Sequence, residues 1–293
     1  AVKRTRKLDP LENAMQLLFF LCGAVAVAFV LVITVYLVVS GLPAIQKVGL
    51  GNFLLGTTWD SANKTDPQYG ILPFILTSIY GTAGAILIGV PVGFMTAMFL
   101  AKAAPPKLAA VVRPAVDLLA GIPSVVYGMV GMVVLLPGIR GLFHLKAGDT
   151  LLAAILVLAV MILPSIISVS ENALRAVPRE YEEASLALGA TEMETYFRVS
   201  APAAKSGIAA AVVLGVGRAI GEAMVMVAGN AANMPGLFKS VKFLTTAVAS
   251  EMSYAADGSL QKMALFSIGL VLFLFIMLIN VLLNVCIKNR KEG

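Results

Sequence analysis

Polar and apolar positions along this chain do not alternate over short windows. They separate into long runs free of charge, divided by short charged clusters. From Asn13 to Gln46 there is no Asp, Glu, Lys or Arg, and Met15–Val39 forms the apolar centre of that stretch. A second run lies between Asp66 and Lys102, a third between Asp117 and Arg140, a fourth between Asp149 and Glu171, and the last between Lys262 and Lys288. Ile208–Ala228 is similar but encloses two charges, Arg218 and Glu222. A helix needs about 20 apolar residues to cross the hydrocarbon core of a bilayer. Backbone groups in lipid must be satisfied within the segment, which favours helices for runs of this kind. The pattern predicts an all-α membrane protein, a single domain over 1–293 with six spans, at about 15–39, 72–100, 116–136, 151–169, 208–228 and 264–286.

Composition agrees, with 59% hydrophobic and 13% charged residues, where soluble domains carry about 25% charge. Six spans put both termini and alternate loops on one side. That side holds Lys3, Arg4, Arg6, Lys7, Lys102, Lys107, Arg113, Arg175, Arg179, Arg198, Lys205, Lys288, Arg290 and Lys291. The other side holds Lys47, Lys64, Arg140, Lys146, Lys239, Lys242 and Lys262. Fourteen cations against seven place both termini in the cytoplasm, because cytoplasmic loops are enriched in Lys and Arg. The net charge of +6 is dispersed among loops and reads as topology rather than as a nucleic-acid patch. The first run is far longer than the apolar core of a signal peptide, so it is expected to remain as an anchor. Cys22 and Cys286 lie in apolar runs, and neither they nor the single His144 suggest a disulfide or metal site.

The outer loops hold two features of note. Trp59, Asp60, Asp66, Pro67 and Tyr69 suggest an ordered turn with both aromatic rings at headgroup level. Residues 237–252 carry apolar positions at helical spacing, which predicts a short helix, either re-entrant across the outer mouth or lying on the membrane surface.

On the inner side, Glu171–Gly207 is the long loop. Pro178 suits the first turn of a helix, and Gly189 suits its left-handed end. Thr191 and Glu194 then form a capping-box pattern that starts a second helix, limited by Pro202. The first helix, with Tyr181, Ala184, Ser185 and Leu188 on one face, is too short to stand alone and must dock on the membrane body or on a partner.

Glu183-Ala184-Ser185, three residues, Gly189, nine residues, then Val199-Ser200-Ala201-Pro202 resembles the EAA motif of ABC importer permeases. Its spacing is kept, with Ser for the second Ala, Val for Ile and Ala for Leu. Tyr69–Pro73, Ala120–Gly128, Ile162–Ser165 and Gly217–Glu222 are similar to segments of phosphate-uptake permeases, and Met226–Ala231 favours the C-type subunit. The resemblance runs from about Leu50 to the C-terminus. It implies a type I importer permease fold of the MetI-like kind. It also implies that Glu183, Ala184, Ser185, Gly189 and Pro202 couple the chain to an ATPase. The partners implied are a second permease subunit, most simply in a heterodimer, two cytoplasmic ATPases that bind ATP and Mg, and an extracytoplasmic phosphate-binding protein.

The residues of span five point to an anion independently. A charge at mid-membrane costs about 2.5–3.5 kcal/mol on insertion scales, so Arg218 is expected to face protein or a wet cavity. Glu222, four residues on, lies on the same helical face, close enough to pair with Arg218 and hold its fork. Ala211, Gly215, Gly217 and Gly221 leave room beside them, and a guanidinium matches phosphate oxygens in geometry. Asn230, Asn233, Ser124 and Ser165 are further hydrogen-bonding candidates, and Tyr127 is read as packing. The competing reading of Arg218 and Glu222 is a packing ion pair.

No G-x-x-x-x-G-K-[ST] loop occurs in the sequence, so ATP hydrolysis is not expected of this chain and it needs no cofactor of its own. Two other functions fit part of the pattern. One is a permease for sulfate or molybdate. The other is an ion-coupled transporter or channel, which would leave the EAA spacing unexplained.

Overall fold

The computed structural model describes residues 10–61, 63, 65–222 and 225–289. The basic positions Lys3, Arg4, Arg6, Lys7, Lys64, Arg290 and Lys291 lie outside the described residues, as does the Cys286 side chain.

Helix α1 (Pro10–Val48) is apolar around its whole circumference, and none of its most apolar window is buried. Such a surface suits lipid. Its C-terminal part alone meets the body, where Ser267 Oγ donates to the Gly41 carbonyl at 2.6 Å and Tyr36 stands edge-on to Phe266. A short helix α2 (Leu50–Leu55) leads to a two-residue antiparallel ladder of β1 (Trp59–Asp60) and β2 (Gln68–Tyr69), with Trp59 opposite Tyr69. The two rings, expected near the headgroups, face protein. Trp59 and Tyr69 are 9% and 6% exposed and pack with Phe53, Phe74, Leu244 and Leu265. The indole is tolerated inside because its N–H has a protein acceptor, Glu251, at 3.1 Å.

Helix α3 (Leu72–Met98) runs on through a π-helical turn over Phe99–Ala103. Next come α4 (Pro106–Gly121), α5 (Ser124–Val130), a π-helical turn over Gly131–Leu135 and α6 (Leu136–Leu142). The predicted third span at 116–136 is therefore divided. Pro123 disfavours helix at the residue before it, and Ile122 is extended, at φ −69° and ψ 126°. The spanning piece is Ser124–Leu142, with α4 a separate helix before it.

Helix α7 (Leu151–Arg175) is the centre of the molecule. Thr150 Oγ1 caps its start by accepting from the Ala153 amide. Leu158, Met161, Ile162 and Ile166 of α7 are almost fully buried. Gly84, Gly89 and Gly93 of α3 lie against Ile155, Ile162 and Ile166 so closely that an added Cβ would come within 2.7 Å of each side chain. Small residues let two apolar helices approach in a membrane, where packing has to do the work of water exclusion.

The long inner loop folds as α8 (Arg179–Ala187), α9 (Glu192–Thr195), a π-helical turn over Tyr196–Ser200, α10 (Ala201–Ala203) and α11 (Lys205–Ile220). Pro202 sits in the first turn of α10 and does not end the preceding stretch; the axis bends by 73° after Ala203 instead. Span five, predicted to reach 228, stops at Ile220. Beyond it a 3-10 turn covers Val225–Ala228. Helix α12 (Leu244–Glu251) is shorter than the 237–252 segment expected, and its Leu244–Ala247 half is buried. It is thus inserted in the body and does not lie on its surface. Helix α13 (Leu260–Asn289) closes the chain against α1 and α12. Five described helices are long and apolar enough to cross a membrane, with the bent pair around Ala204 as a sixth.

Candidate transport site and coupling loop

Arg218 lies in the last turn of α11, half-buried. Its Nη1 donates to Ser165 Oγ at 3.5 Å, and it is near enough to the Tyr127 phenol to act on it electrostatically. Ser165 follows Pro164 in α7, where the missing proline N–H leaves the carbonyl four residues back without its helical partner. Tyr127 Oη donates to the Leu119 carbonyl at 2.8 Å and so bridges the α4–α5 break. Three helices, α5, α7 and α11, thereby place polar atoms around one guanidinium. A Cβ at Gly217, next to Arg218 in sequence, would meet nothing within 4 Å, so α11 is open on that side.

The arrangement of Glu222 differs from the sequence reading. Because α11 ends at Ile220, Glu222 has left the helix and does not share a helical face with Arg218. Its carbonyl accepts from Thr245 Oγ1 of α12 at 2.8 Å. Gly217 and Gly221 weaken helix propagation here, and Thr245 supplies a partner for the backbone freed by the break. Ser124 is half-buried and Asn230 is exposed. Asn233 donates to the Ser240 carbonyl at 3.1 Å, so it serves the loop before α12.

The 171–207 loop follows its sequence signals closely at both helix ends. Gly189 has φ +90°. Its amide donates to the Leu186 carbonyl at 2.9 Å and that of Ala190 to the Ser185 carbonyl at 3.2 Å, the two bonds of a Schellman end. Thr191 and Glu194 form the reciprocal capping box. The Thr191 amide, then its hydroxyl, and the Arg198 charge hold the Glu194 carboxyl below its ordinary range. Glu183, Ala184 and Leu188 are exposed, as are Tyr181 and Pro202. Ser185 is not on that outer face. Its hydroxyl meets Thr195 Oγ1 at 2.9 Å, binding α8 to α9.

The contacts that hold α8 to the body escaped sequence reasoning. Glu182 pairs with Lys102, at the end of the α3 span, and accepts from Ser200 Oγ at 2.7 Å. Close by, the buried Glu171 carboxylate takes Arg113 Nε at 2.7 Å and Arg175 Nε at 2.9 Å, tying α4 to the end of α7. The Glu171–Arg175 pair has helical i, i+4 spacing and could have been read. Lys102 and Glu182 lie far apart in sequence, and nothing local links them.

Residues 89–289 match the family described as binding-protein-dependent transport system inner membrane component. The chain is 39% identical over 289 residues to the probable ABC transporter permease protein YqgH of Bacillus subtilis, covering 96% of this chain and 93% of that one. It is 36% identical to the phosphate transport system permease protein PstC of Haemophilus influenzae, covering 89% and 88%. In structure it is similar to a chain of the inward-facing MetNI methionine ABC transporter, with TM-score 0.60 at 22% identity over 75% of this chain and 95% of that one. A bacterial alginate ABC transporter, in complex with an alginate pentasaccharide-bound periplasmic protein, gives TM-score 0.65 at 13% identity over 92% and 94%.

Proposed function

Starting from the fact that this chain belongs to the binding-protein-dependent transport system inner membrane components, we propose that it carries inorganic phosphate into the cytoplasm as the C-type permease of an ATP-driven importer. Family membership makes it a transport component that works with ATPase and solute-binding partners. The observation that carries the anion is Arg218. It is a cation held on the last turn of a membrane helix by Ser165, with open space at Gly217. Relatives named as phosphate permeases support phosphate over sulfate or molybdate.

In this reading the 171–207 loop faces the cytoplasm with both termini. Glu183, Ala184 and the Gly189 end of α8 sit on the ATPase, while Ser185 and Pro202 shape the loop behind them. ATP and Mg are held by two partner ATPases, and a second, related permease completes the path in a heterodimer. An external phosphate-binding protein delivers the solute. Movement of α8 is passed through Glu182 to Lys102 on the α3 span and through the π-turn to α11, so the helix that bears Arg218 moves with the loop. Arg218 then meets the phosphate oxygens and gives them up as the cavity changes sides. Glu222 contributes through its backbone, by closing the helix end on Thr245.

The test is radiolabelled phosphate uptake by the assembled complex, with sulfate and molybdate as competitors. Arg218→Lys keeps the charge and loses the planar fork. Uptake per complex is expected to fall about tenfold or more while assembly stays normal, since a charge-assisted hydrogen bond is worth about 1.5–3 kcal/mol. Unchanged uptake by Arg218→Lys would remove Arg218 from the path, and inhibition by molybdate or sulfate stronger than by unlabelled phosphate would change the cargo.

A further inference from the structure

On the side of the molecule opposite the 171–207 loop, one carboxylate gathers donors from three separate stretches of chain. Lys242 Nζ lies 2.6 Å from Glu251 Oε1. Trp59 Nε1 lies 3.2 and 3.1 Å from the two carboxylate oxygens. Ser61 Oγ donates at 3.0 Å, and Gln261 Nε2, which also donates to Ser61 Oγ, lies at 3.4 Å. The group is well inside the protein, with the Lys242 and Glu251 side chains 6% and 16% exposed. Lys242 Nζ also stands 5.9 Å above the Phe74 ring. Burial acts to raise the Glu251 carboxyl, but the hydrogen bond and charge of Lys242, with the bonds from Trp59 and Ser61, outweigh it and hold the group below its ordinary range.

Stability alone is a poor reason for such a cluster. Desolvating two charges costs several kcal/mol, and apolar residues of similar volume often serve a core as well or better. What a many-donor hub supplies that an apolar cluster does not is a fixed register. Its position in the fold says what is being held. Glu251 is the last residue of α12. At the other end of that helix the Leu244 amide donates to Ser78 Oγ of α3 at 3.2 Å, and Thr245 Oγ1 donates to the Glu222 carbonyl at 2.8 Å. Helix α12 has eight residues, a strut about 12 Å long at 1.5 Å per residue. One end is locked to the Trp59 hairpin and α13; the other holds the helix break that follows Arg218.

We propose that Glu251 is a positioning residue for solute transfer, fixing α12 so that Thr245 sets where the α11 break, and with it Arg218, stands. The inference rests on the transport reading above. Glu251 does not touch the solute. Its effect passes through backbone geometry, so its loss separates ATP turnover from anion movement. A hub that served packing alone would change the amount of complex and leave the yield per ATP where it was.

The experiment uses the whole complex in proteoliposomes and reads phosphate taken up per ATP hydrolysed, normalised to assembled complex. Thr245→Val is close to isosteric, lies away from the hub and removes only the hydroxyl that reaches Glu222. The pair Lys242→Met with Glu251→Gln removes both charges together, so no uncompensated charge is left inside. Both variants are expected to assemble and hydrolyse ATP as the wild type does, with uptake per ATP down about tenfold or more, since small misplacements of a binding group cost this much. A wild-type ratio in either variant overturns the proposal: in the double variant the hub is only packing, and in Thr245→Val the strut ends on nothing that matters. Should the double variant fail to assemble, Thr245→Val decides alone. A wild-type complex that takes up no phosphate defeats the phosphate reading and not this one, because the same ratio is then read on the anion the wild type does carry.

Discussion

In the proposed transport path, Arg218 depends on the residues that give it a polar setting within an apolar body. Ser165 does so from α7, at 3.5 Å. Ser165→Ala removes that partner and leaves the guanidinium in place. Uptake at subsaturating phosphate is expected to fall less than tenfold, the neutral-hydroxyl bond being worth about 0.5–1.5 kcal/mol. An effect equal to that of Arg218→Lys would mean that Ser165 holds the anion itself. That Arg218 would seek a polar partner within the protein was legible in the sequence, since an intramembrane charge is expensive wherever the chain folds. The place of Glu222 was not legible. Spacing of four residues implies a shared face only if the helix continues, and it ends at Ile220. The partner of Trp59 was not legible for a related reason. An aromatic near a span end reads as an interfacial anchor, yet its indole N–H finds Glu251, 192 positions away in sequence.

At the scale of elements, the best-read part of the chain is the α8–α9 turn, because every signal in it is local. The φ of +90° at Gly189 and the Thr191–Glu194 box depend on backbone rules within a few residues. An added Cβ at Gly189 would meet no neighbour, so Gly189→Val strains the backbone alone, by about 1–2 kcal/mol. ATPase co-purification and ATP-driven uptake are both expected to drop while the membrane body stays assembled. Unchanged values for both would remove the coupling role from α8. The division at Ile122–Pro123 was also written in the sequence, in Pro123, although the unbroken apolar pattern between Asp117 and Arg140 obscured it. Helix α12 was foreseen as a helix, with its place, re-entrant or on the membrane surface, left open. Its apolar spacing suits a membrane surface equally well, whereas the structure buries its Leu244–Ala247 half in the body and ties its C-terminal end to the donors around Glu251.

For the molecule as a whole, orientation follows from the distribution of Lys and Arg, and it makes a direct prediction. In a chain with Cys22 and Cys286 replaced, a cysteine at the exposed positions Asp60 or Gly258 should react with an impermeant thiol reagent added outside intact cells. One at the exposed Glu194 should not. The reverse pattern would overturn the orientation. The number of long apolar helices, the capped turns of the 171–207 loop and the need for Arg218 to face protein or a wet cavity were all decided by sequence. Each follows from a cost paid locally, by a residue in lipid or by a backbone group at a helix end. Only the tertiary structure decided that Ser185 turns inward to Thr195, that Glu182 finds Lys102, that span five breaks at Gly221, and that Trp59, Lys242 and Gln261 meet on Glu251. Those outcomes depend on which helices the glycine rows of α3 allow to approach α7, and on long-range partners that satisfy polar groups which spacing along the chain leaves free to pair in several ways.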